Sequence, residues 1–342
     1  MTTLTIAILF GGCSEEHDVS VKSARQIAAS INLDKYKPIY LGIDKAGAWS
    51  LCDTPTPGWH DAAGPRAVIS PDRETHGILV MSDSACEVLR VDAVFPVLHG
   101  KSGEDGAIQG LLELSGIPYV GCGIQSSAIC MDKSLAYTVA GAAGIPTPTF
   151  HVLSTGGPVP TRLTFPVFVK PARSGSSFGV TRVERDADLG AAIESARRYD
   201  SKVLIEQAVI GTEVGCAVLG NGADLIIGEL DQIDVSHGLF RIHQEAEPEK
   251  GPKNAVIEVP ANIPADVRER VHETARAVYT AIGCKGLARV DMFLQPDGRV
   301  VLNEVNTMPG FTSYSRYPQM MAAAGLAMSE VIDRCITLAM RG

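Results

Sequence analysis

The densest group of side chains able to do chemistry lies near the C-terminus. Asp291 ends the segment Ala288-Arg289-Val290-Asp291, and Glu304 and Asn306 lie in Asn303-Glu304-Val305-Asn306. Pro296-Asp297-Gly298 between them has turn chemistry, so the two segments read as a hairpin. Side chains of one parity share a face of such a hairpin, which can bring Asp291, Glu304 and Asn306 together. Hard oxygen ligands of this kind suit magnesium, with nucleotide phosphates completing its shell. Arg289 falls on the same face and could hold a phosphate or a developing oxyanion. The competing reading is a solvated strand edge with ordinary ion pairs, and spacing alone leaves both open.

A second group is Lys170-Pro-Ala-Arg-Ser-Gly-Ser-Ser-Phe-Gly179. A lysine at a strand end, followed by a Gly/Ser turn, can lay a cation and backbone N–H groups over phosphates. The same residues also make an ordinary polar turn. Lys133 is a lone helix lysine which, by itself, reads as a solvated charge. Two other stretches imitate nucleotide motifs and fail. His99-Gly100-Lys101-Ser102 ends like a Walker A loop, but Phe95 stands where its first glycine is required. Gly121-Cys122-Gly123-Ile124-Gln125-Ser126 resembles a dinucleotide loop, but Ser126 replaces the last glycine and no acidic residue follows about 20 positions on.

The elements that must position these groups follow from periodicity. Residues 4–10 form a buried-strand run ending at Gly11-Gly12, and a helix fits 18–31. Strands are expected at 38–43 and 91–98, then a helix at 107–114 closed by Gly116, and a strand over 117–120. This β-α-β rhythm predicts a parallel sheet with ligands at the carboxyl ends of its strands, where the loops 11–17 and 99–105 lie. A second unit starts near Gln125, where Ser126 or Ser127 caps a helix running through Ala143 to Gly144. Strands at 165–170 and 180–183, a helix at 187–199 and a strand at 203–206 complete it. The third unit begins at Gly211, with strands at 214–219 and 225–232, a polar stretch 235–254, a helix at 265–282 and the hairpin 288–304. No internal repeat or low-complexity tract is present.

The chain has 342 residues, enough for two or three domains. Its 45% hydrophobic and 20% charged residues are globular values, excluding disordered, collagen-like and coiled-coil classes. A formal charge of −9 argues against nucleic acid as a partner. No targeting signal opens the sequence, and no apolar run reaches the roughly eighteen residues that span a membrane. The eight cysteines are scattered with no C-x-x-C pair, so they read as reduced thiols rather than a zinc or disulfide framework. The expectation is a soluble cytoplasmic protein.

The motifs, taken in order, resemble the ATP-grasp ligases, and within them the D-alanine–D-alanine ligase family. The resemblance rests on Gly11-Gly12…Glu16-His17…Ser20, His99-Gly100-Lys101…Gly103-Glu104-Asp105-Gly106, Gly175-Ser176-Ser177 and Asn303-Glu304-Val305-Asn306-Thr307-Met308-Pro309-Gly310. It runs over essentially the whole chain. The stretches 11–24 and 240–251 look most like the vancomycin-resistance D-alanine–D-lactate ligases. The resemblance implies an α/β ATP-grasp fold: an N-terminal parallel α/β substrate domain at 1–124, a central subdomain at 125–210, and a C-terminal catalytic subdomain at 211–342 with a lid loop at 235–254. It implies ATP as a substrate, two magnesium ions (for which manganese could stand in), D-alanine and D-lactate as substrates, no nucleic acid or membrane partner, and a homodimer. The implied reaction phosphorylates a first D-alanine to D-alanyl phosphate, which a second D-substrate attacks with expulsion of phosphate.

By the same resemblance, Lys133 and Lys170 contact ATP phosphates, Glu206, Ala208 and Val209 follow the adenine edge, and Glu213 takes the ribose. Asp291, Glu304 and Asn306 hold the metal ions. Glu16, supported by His99, binds the ammonium of the first D-alanine. Arg289 and the Gly310 N–H stabilise the oxyanion, Ser315 receives the second substrate's carboxylate, and Ser176 orders the closing loop. Dipeptide-forming members carry a lid tyrosine hydrogen-bonded toward the positions of Ser176 and Glu16. Here His243 stands at that position and residues 235–254 contain no tyrosine. A protonated His243 would repel an incoming ammonium and attract lactate's carboxylate, with Lys22 adding to the bias. The alternative is a dipeptide-forming D-alanine–D-alanine ligase.

Overall fold

The computed structural model describes residues 3–175, 178–236 and 254–341. The chain opens with β1 (Leu4–Gly11), α1 (His17–Ser30) and β2 (Tyr36–Ile43), then four short strands, β3 (Trp49–Cys52), β4 (Arg66–Ile69), β5 (Gly77–Met81) and β6 (Cys86–Arg90), and β7 (Ala93–Val97). These make one seven-stranded sheet in the order β6-β5-β4-β3-β2-β1-β7. Only β2, β1 and β7 are parallel. The expected parallel sheet is therefore corrected: β3 to β6 extend it antiparallel, the links 44–48, 70–76 and 82–85 being too short for the dozen or more residues of a parallel crossover.

Helices α2 (Ala107–Ser115), α3 (Ile124–Met131) and α4 (Lys133–Ala142) follow. No strand forms at 117–120, which makes one bridge, Val94 to Tyr119. Pro118 lacks an N–H and donates nothing to the ladder; its carbonyl accepts from Val94 N. The single helix expected through Ala143 is two helices. Asp132 breaks the run, with φ −98° and ψ 99°, and caps α4 by accepting from the backbone N–H groups of Ser134 and Leu135. Neither Ser126 nor Ser127 is a cap, since α3 starts after Gly123.

A four-stranded sheet comes next, from β8 (Phe150–Leu153), β9 (Val167–Pro171), β10 (Thr181–Val183) and β11 (Val203–Gln207), in the order β10-β9-β11-β8 and covered by α5 (Leu189–Arg197). The last sheet holds β12 (Thr212–Asn221), β13 (Asp224–Val235), β14 (Ala255–Glu258), β15 (Leu287–Leu294) and β16 (Val300–Asn306) in the order β14-β13-β12-β15-β16. Helix α6 (Ala265–Ile282) lies on it, burying Val271, Ala275, Val278, Tyr279 and Ile282 on one face at helical spacing.

Two helices not expected from the sequence close the chain, α7 (Arg316–Ala323) and α8 (Met328–Met340). Tyr317, Met320, Ile332 and Ile336 from them share a core with Ile6, Ile8, Phe10 and Phe95 of the first sheet and Ala217 and Leu219 of the last. The first and last sheets are thus packed through one buried layer. That layer fixes the loops after β1 and β7 against the turn after β16.

Candidate active site

Three parts of the fold converge on one cleft. The first is the β15/β16 hairpin, where Asp291 lies opposite Glu304 and Arg289 opposite Asn306. This pairing depends on a bulge. Met292 pairs with Leu302, so Asn303 is the extra residue that brings Glu304, rather than Asn303, across from Asp291. The Asn303 carbonyl accepts from the Tyr137 hydroxyl at 2.8 Å. Asn306 Nδ2 donates to Asp291 Oδ2 at 3.1 Å, and Arg289 makes a bidentate contact to the same carboxylate at 2.7 and 2.8 Å.

Sequence reasoning missed the residue that completes this network. Arg316, at the start of α7, is buried and donates to Asp231 on β13, to Glu213 on β12 and to Asp291, the last two at 3.2 Å. Burial would raise the Asp231 carboxyl, but Arg316 outweighs it and holds Asp231 below the ordinary range. Gly215 is required beneath this cluster: a β-carbon there would come within 2.6 Å of Asp231 Oδ1.

The second part carries the candidate phosphate lysines. Lys170, at the end of β9, is buried and pairs with Glu206 at 2.6 Å; Glu206 also accepts from Tyr137 at 3.1 Å. Burial lowers the Lys170 ammonium, against the pull of Glu206. Lys133, the first residue of α4, lies 3.0 Å from Glu304 and donates to the Ser174 carbonyl at 3.1 Å. Burial alone would depress Lys133, but Glu304 more than offsets it and the ammonium is raised. In return Lys133 holds the Glu304 carboxyl down at about 2. With the Glu206 carboxylate engaged by Lys170, the chain beyond it offers backbone groups. Ala208 and Val209 are half-buried there, and Ala208 N donates to the Pro166 carbonyl.

The third part is built from loops. Glu16 precedes α1 and is half-buried; a β-carbon on Gly100 would sit 3.0 Å from its Oε2, and one on Gly175 3.7 Å away. The Gly/Ser turn after Lys170 therefore starts beside Glu16. His99 is buried, with Nδ1 2.9 Å from the Met308 carbonyl and Nε2 3.3 Å from Ser23 Oγ. Burial lowers its pKa, against the field of Glu16, and favours the neutral ring. Ser315 Oγ packs on Gly310 and contacts Thr312 Oγ1 at 2.6 Å. Lys22 is half-buried on α1. Ser176 and His243 lie outside the described residues, as does nearly all of the expected lid loop.

Among the described residues, no group of three or more His, Cys, Asp or Glu side chains forms a metal site. The donor set on the hairpin is instead two carboxylates and an amide. All offer hard oxygen donors on one face, the two carboxylates ion-paired to Arg289, Arg316 and Lys133, and they fit a divalent cation whose shell is completed by phosphates and water. No helix among the described residues is long and apolar enough to cross a membrane.

Comparison with known proteins agrees with this arrangement. The profile of the D-ala D-ala ligase N-terminus matches residues 5–122, and that of the C-terminus residues 140–337. The chain is 64% identical over 343 residues to the vancomycin/teicoplanin A-type resistance protein VanA of Enterococcus faecium, covering 100% of both chains. It is 62% identical, covering 100% of this chain and 99% of the other, to a Streptomyces coelicolor protein named provisionally as a D-alanine–D-lactate ligase. The crystal structure of the VanG D-Ala:D-Ser ligase of Enterococcus faecalis superposes with a TM-score of 0.89 at 41% identity, covering 99% of this chain and all of that one. The chain belongs to the D-alanine–D-alanine ligase family, and its mixed α/β architecture is that of the ATP-grasp ligases.

Proposed function

We propose that the chain is an ATP-dependent ligase that joins D-alanine to D-lactate through D-alanyl phosphate, supplying depsipeptide for peptidoglycan precursors and so conferring glycopeptide resistance. The observation that carries the choice of D-lactate is the 62% identity, over the whole chain, to the protein named for that reaction. The stretch 235–254, with His243 and no tyrosine, supports it.

Lys133 and Lys170 receive the ATP phosphates, exchanging part of their pairing with Glu304 and Glu206 for phosphate oxygens. The backbone beyond Glu206, at Ala208 and Val209, follows the adenine, and Glu213 takes the ribose hydroxyls. Asp291, Glu304 and Asn306 hold two magnesium ions, with manganese an acceptable substitute. Magnesium held there would neutralise phosphate charge and polarise the transferred phosphoryl group. Glu16 binds the ammonium of the first D-alanine beside a neutral His99. Arg289 and the Gly310 N–H face the oxyanion that develops when the acyl phosphate is attacked. Ser315 binds the carboxylate of the second substrate, and Ser176 orders the loop over the phosphates.

D-Alanine must lose an ammonium proton before attacking, whereas D-lactate arrives with a neutral hydroxyl. Protonated His243 and Lys22 disfavour the first and attract the carboxylate of the second. Deprotonation of His243 removes that bias, so the product should shift toward the dipeptide as pH rises. Three structural units meeting near residues 125 and 211, a cytoplasmic site of action and a homodimer complete the reading.

Purified protein given ATP, magnesium and D-alanine, with and without D-lactate at pH 6 to 9, tests it by product separation. D-Alanyl-D-lactate should dominate at neutral pH when D-lactate is present; dominance of D-alanyl-D-alanine there would overturn the reading. His243→Tyr should shift the ratio toward dipeptide by about tenfold, the effect of removing one repulsive charge from a binding site.

A further inference from the structure

Glu104 has no role in the chemistry described above, yet it shares a loop with His99 and bonds to Met308 of the turn that carries Gly310. Its Oε2 accepts the Gly100 N–H at 2.8 Å, and its Oε1 accepts the Met308 N–H at 3.1 Å. Glu104 N also donates to the Gly100 carbonyl at 2.9 Å, so backbone and side chain close the loop on itself. The Met308 carbonyl meanwhile faces His99 Nδ1 at 2.9 Å. One loop, residues 99–104, therefore holds both backbone polar groups of Met308, two positions before Gly310. A third tie runs from Leu98 N to Met308 Sδ at 2.9 Å.

From this geometry we propose that Glu104 is a positioning residue for the first D-alanine subsite, clamping the loop that carries His99 and Gly100 to the turn that carries Gly310. The inference rests on the ligase reading above. Glu16 touches the space over Gly100, and His99 is aimed by Met308, so the clamp sets both groups that meet the ammonium. Charged neighbours from three other elements act on or feel Glu104: Glu16, Arg289 and Lys133. Burial, with Glu16 adding to it, pushes the Glu104 carboxyl up to about 8, against the Gly100 and Met308 N–H groups that it accepts. An ordinary turn-stabilising carboxylate would lower stability when removed and leave substrate affinities in proportion. A clamp predicts a change confined to one substrate.

The test is steady-state kinetics of the full-length enzyme with magnesium and saturating D-lactate, varying D-alanine and ATP in turn. Glu104→Ala should raise the KM for the first D-alanine about tenfold while the KM for ATP stays within about twofold. Glu104→Gln keeps one acceptor oxygen and should give an intermediate rise, about threefold. Should the alanine variant fail to fold, the glutamine variant carries the same split. Amide hydrogen exchange in wild type and Glu104→Gln gives a second readout, expected to be faster across 305–311 with 4–11 unchanged. A D-alanine KM unmoved in either variant, or an equal rise in both KM values, overturns the clamp. Wild-type protein with no D-alanine-dependent ATP turnover would instead refute the ligase reading itself, and the clamp with it.

Discussion

The two ends of the cleft are built on different principles. At the end proposed for ATP the cations are each held by an opposite charge: Lys170 by Glu206, Lys133 by Glu304, and Arg289 and Arg316 by Asp291 and Asp231. At the end proposed for D-alanine, the groups around Glu16 are held largely by hydrogen bonds to backbone: His99 to Met308, Ser14 to the His99 carbonyl, and Glu104 to Gly100 and Met308. A site for a polyanion must present cations before the ligand arrives, and enclosed cations require partners in the meantime. A site for one small zwitterion needs direction more than charge, and backbone groups supply it. Damage at the first end should therefore appear as lost stability or lost rate, and damage at the second as lost affinity for one substrate.

The largest break is expected at Arg316, which is 6% exposed and shared by three carboxylates. Arg316→Met removes one partner from a buried pair and leaves Asp231 without its ion-pair partner. It should cost about 3–5 kcal/mol in denaturant unfolding. A loss under about 1 kcal/mol would mean that water reaches Asp231 and that the ATP end is not a closed ion network. Lys133→Ala comes next. If Lys133 meets ATP as proposed, the rate should fall about a hundredfold, near 2.7 kcal/mol of transition-state stabilisation, because a cation on the transferred phosphoryl group is lost. Acid stability supplies an independent reading. Lys133 holds Glu304 below its unfolded pKa of 4.5, so that pairing stabilises the fold above 4.5 and fades as pH falls toward 2. In Lys133→Ala the loss of stability across that window should be shallower than in wild type.

Legibility in the sequence followed sequence distance. The amphipathic pattern of α6 is local, and its observed bounds coincide with the expected 265–282. The hairpin brings Asp291 and Glu304 together as parity suggested, yet it does so through the Asn303 bulge, which no residue type announced. Asp132 could have been found, since aspartate is a preferred N-cap residue, but the flanking helix formers masked it. Arg316 and Asp231 are 85 residues apart, and Glu104 and Met308 are 204 apart. Such pairs carry no periodicity, because they are set by how three sheets stack rather than by any one element. The antiparallel extension β3 to β6 was unreadable for a related reason: its strands have four or five residues, too few for alternation to separate them from loop.

The smallest expected effect is also the sharpest test of the contrast between the two ends. Ser23 is fully buried on α1, and its hydroxyl oxygen accepts the Phe311 N–H at 3.1 Å and lies 3.3 Å from His99 Nε2. The Met308 carbonyl faces Nδ1, so Nδ1 carries the ring proton and Nε2 accepts the Ser23 hydroxyl proton. Ser23→Ala therefore strands one backbone donor and frees one edge of the ring, at a cost of about 1–2 kcal/mol in unfolding free energy. No charge is exposed, so stability between pH 4.5 and 2 should follow the wild type, unlike that of Lys133→Ala. The KM for the first D-alanine should rise about threefold to tenfold as His99 loses its alignment, with the KM for ATP unchanged. If Ser23→Ala instead weakens ATP and D-alanine together, the shared core beneath α1 and α7 couples the two ends, and the cleft answers as one body.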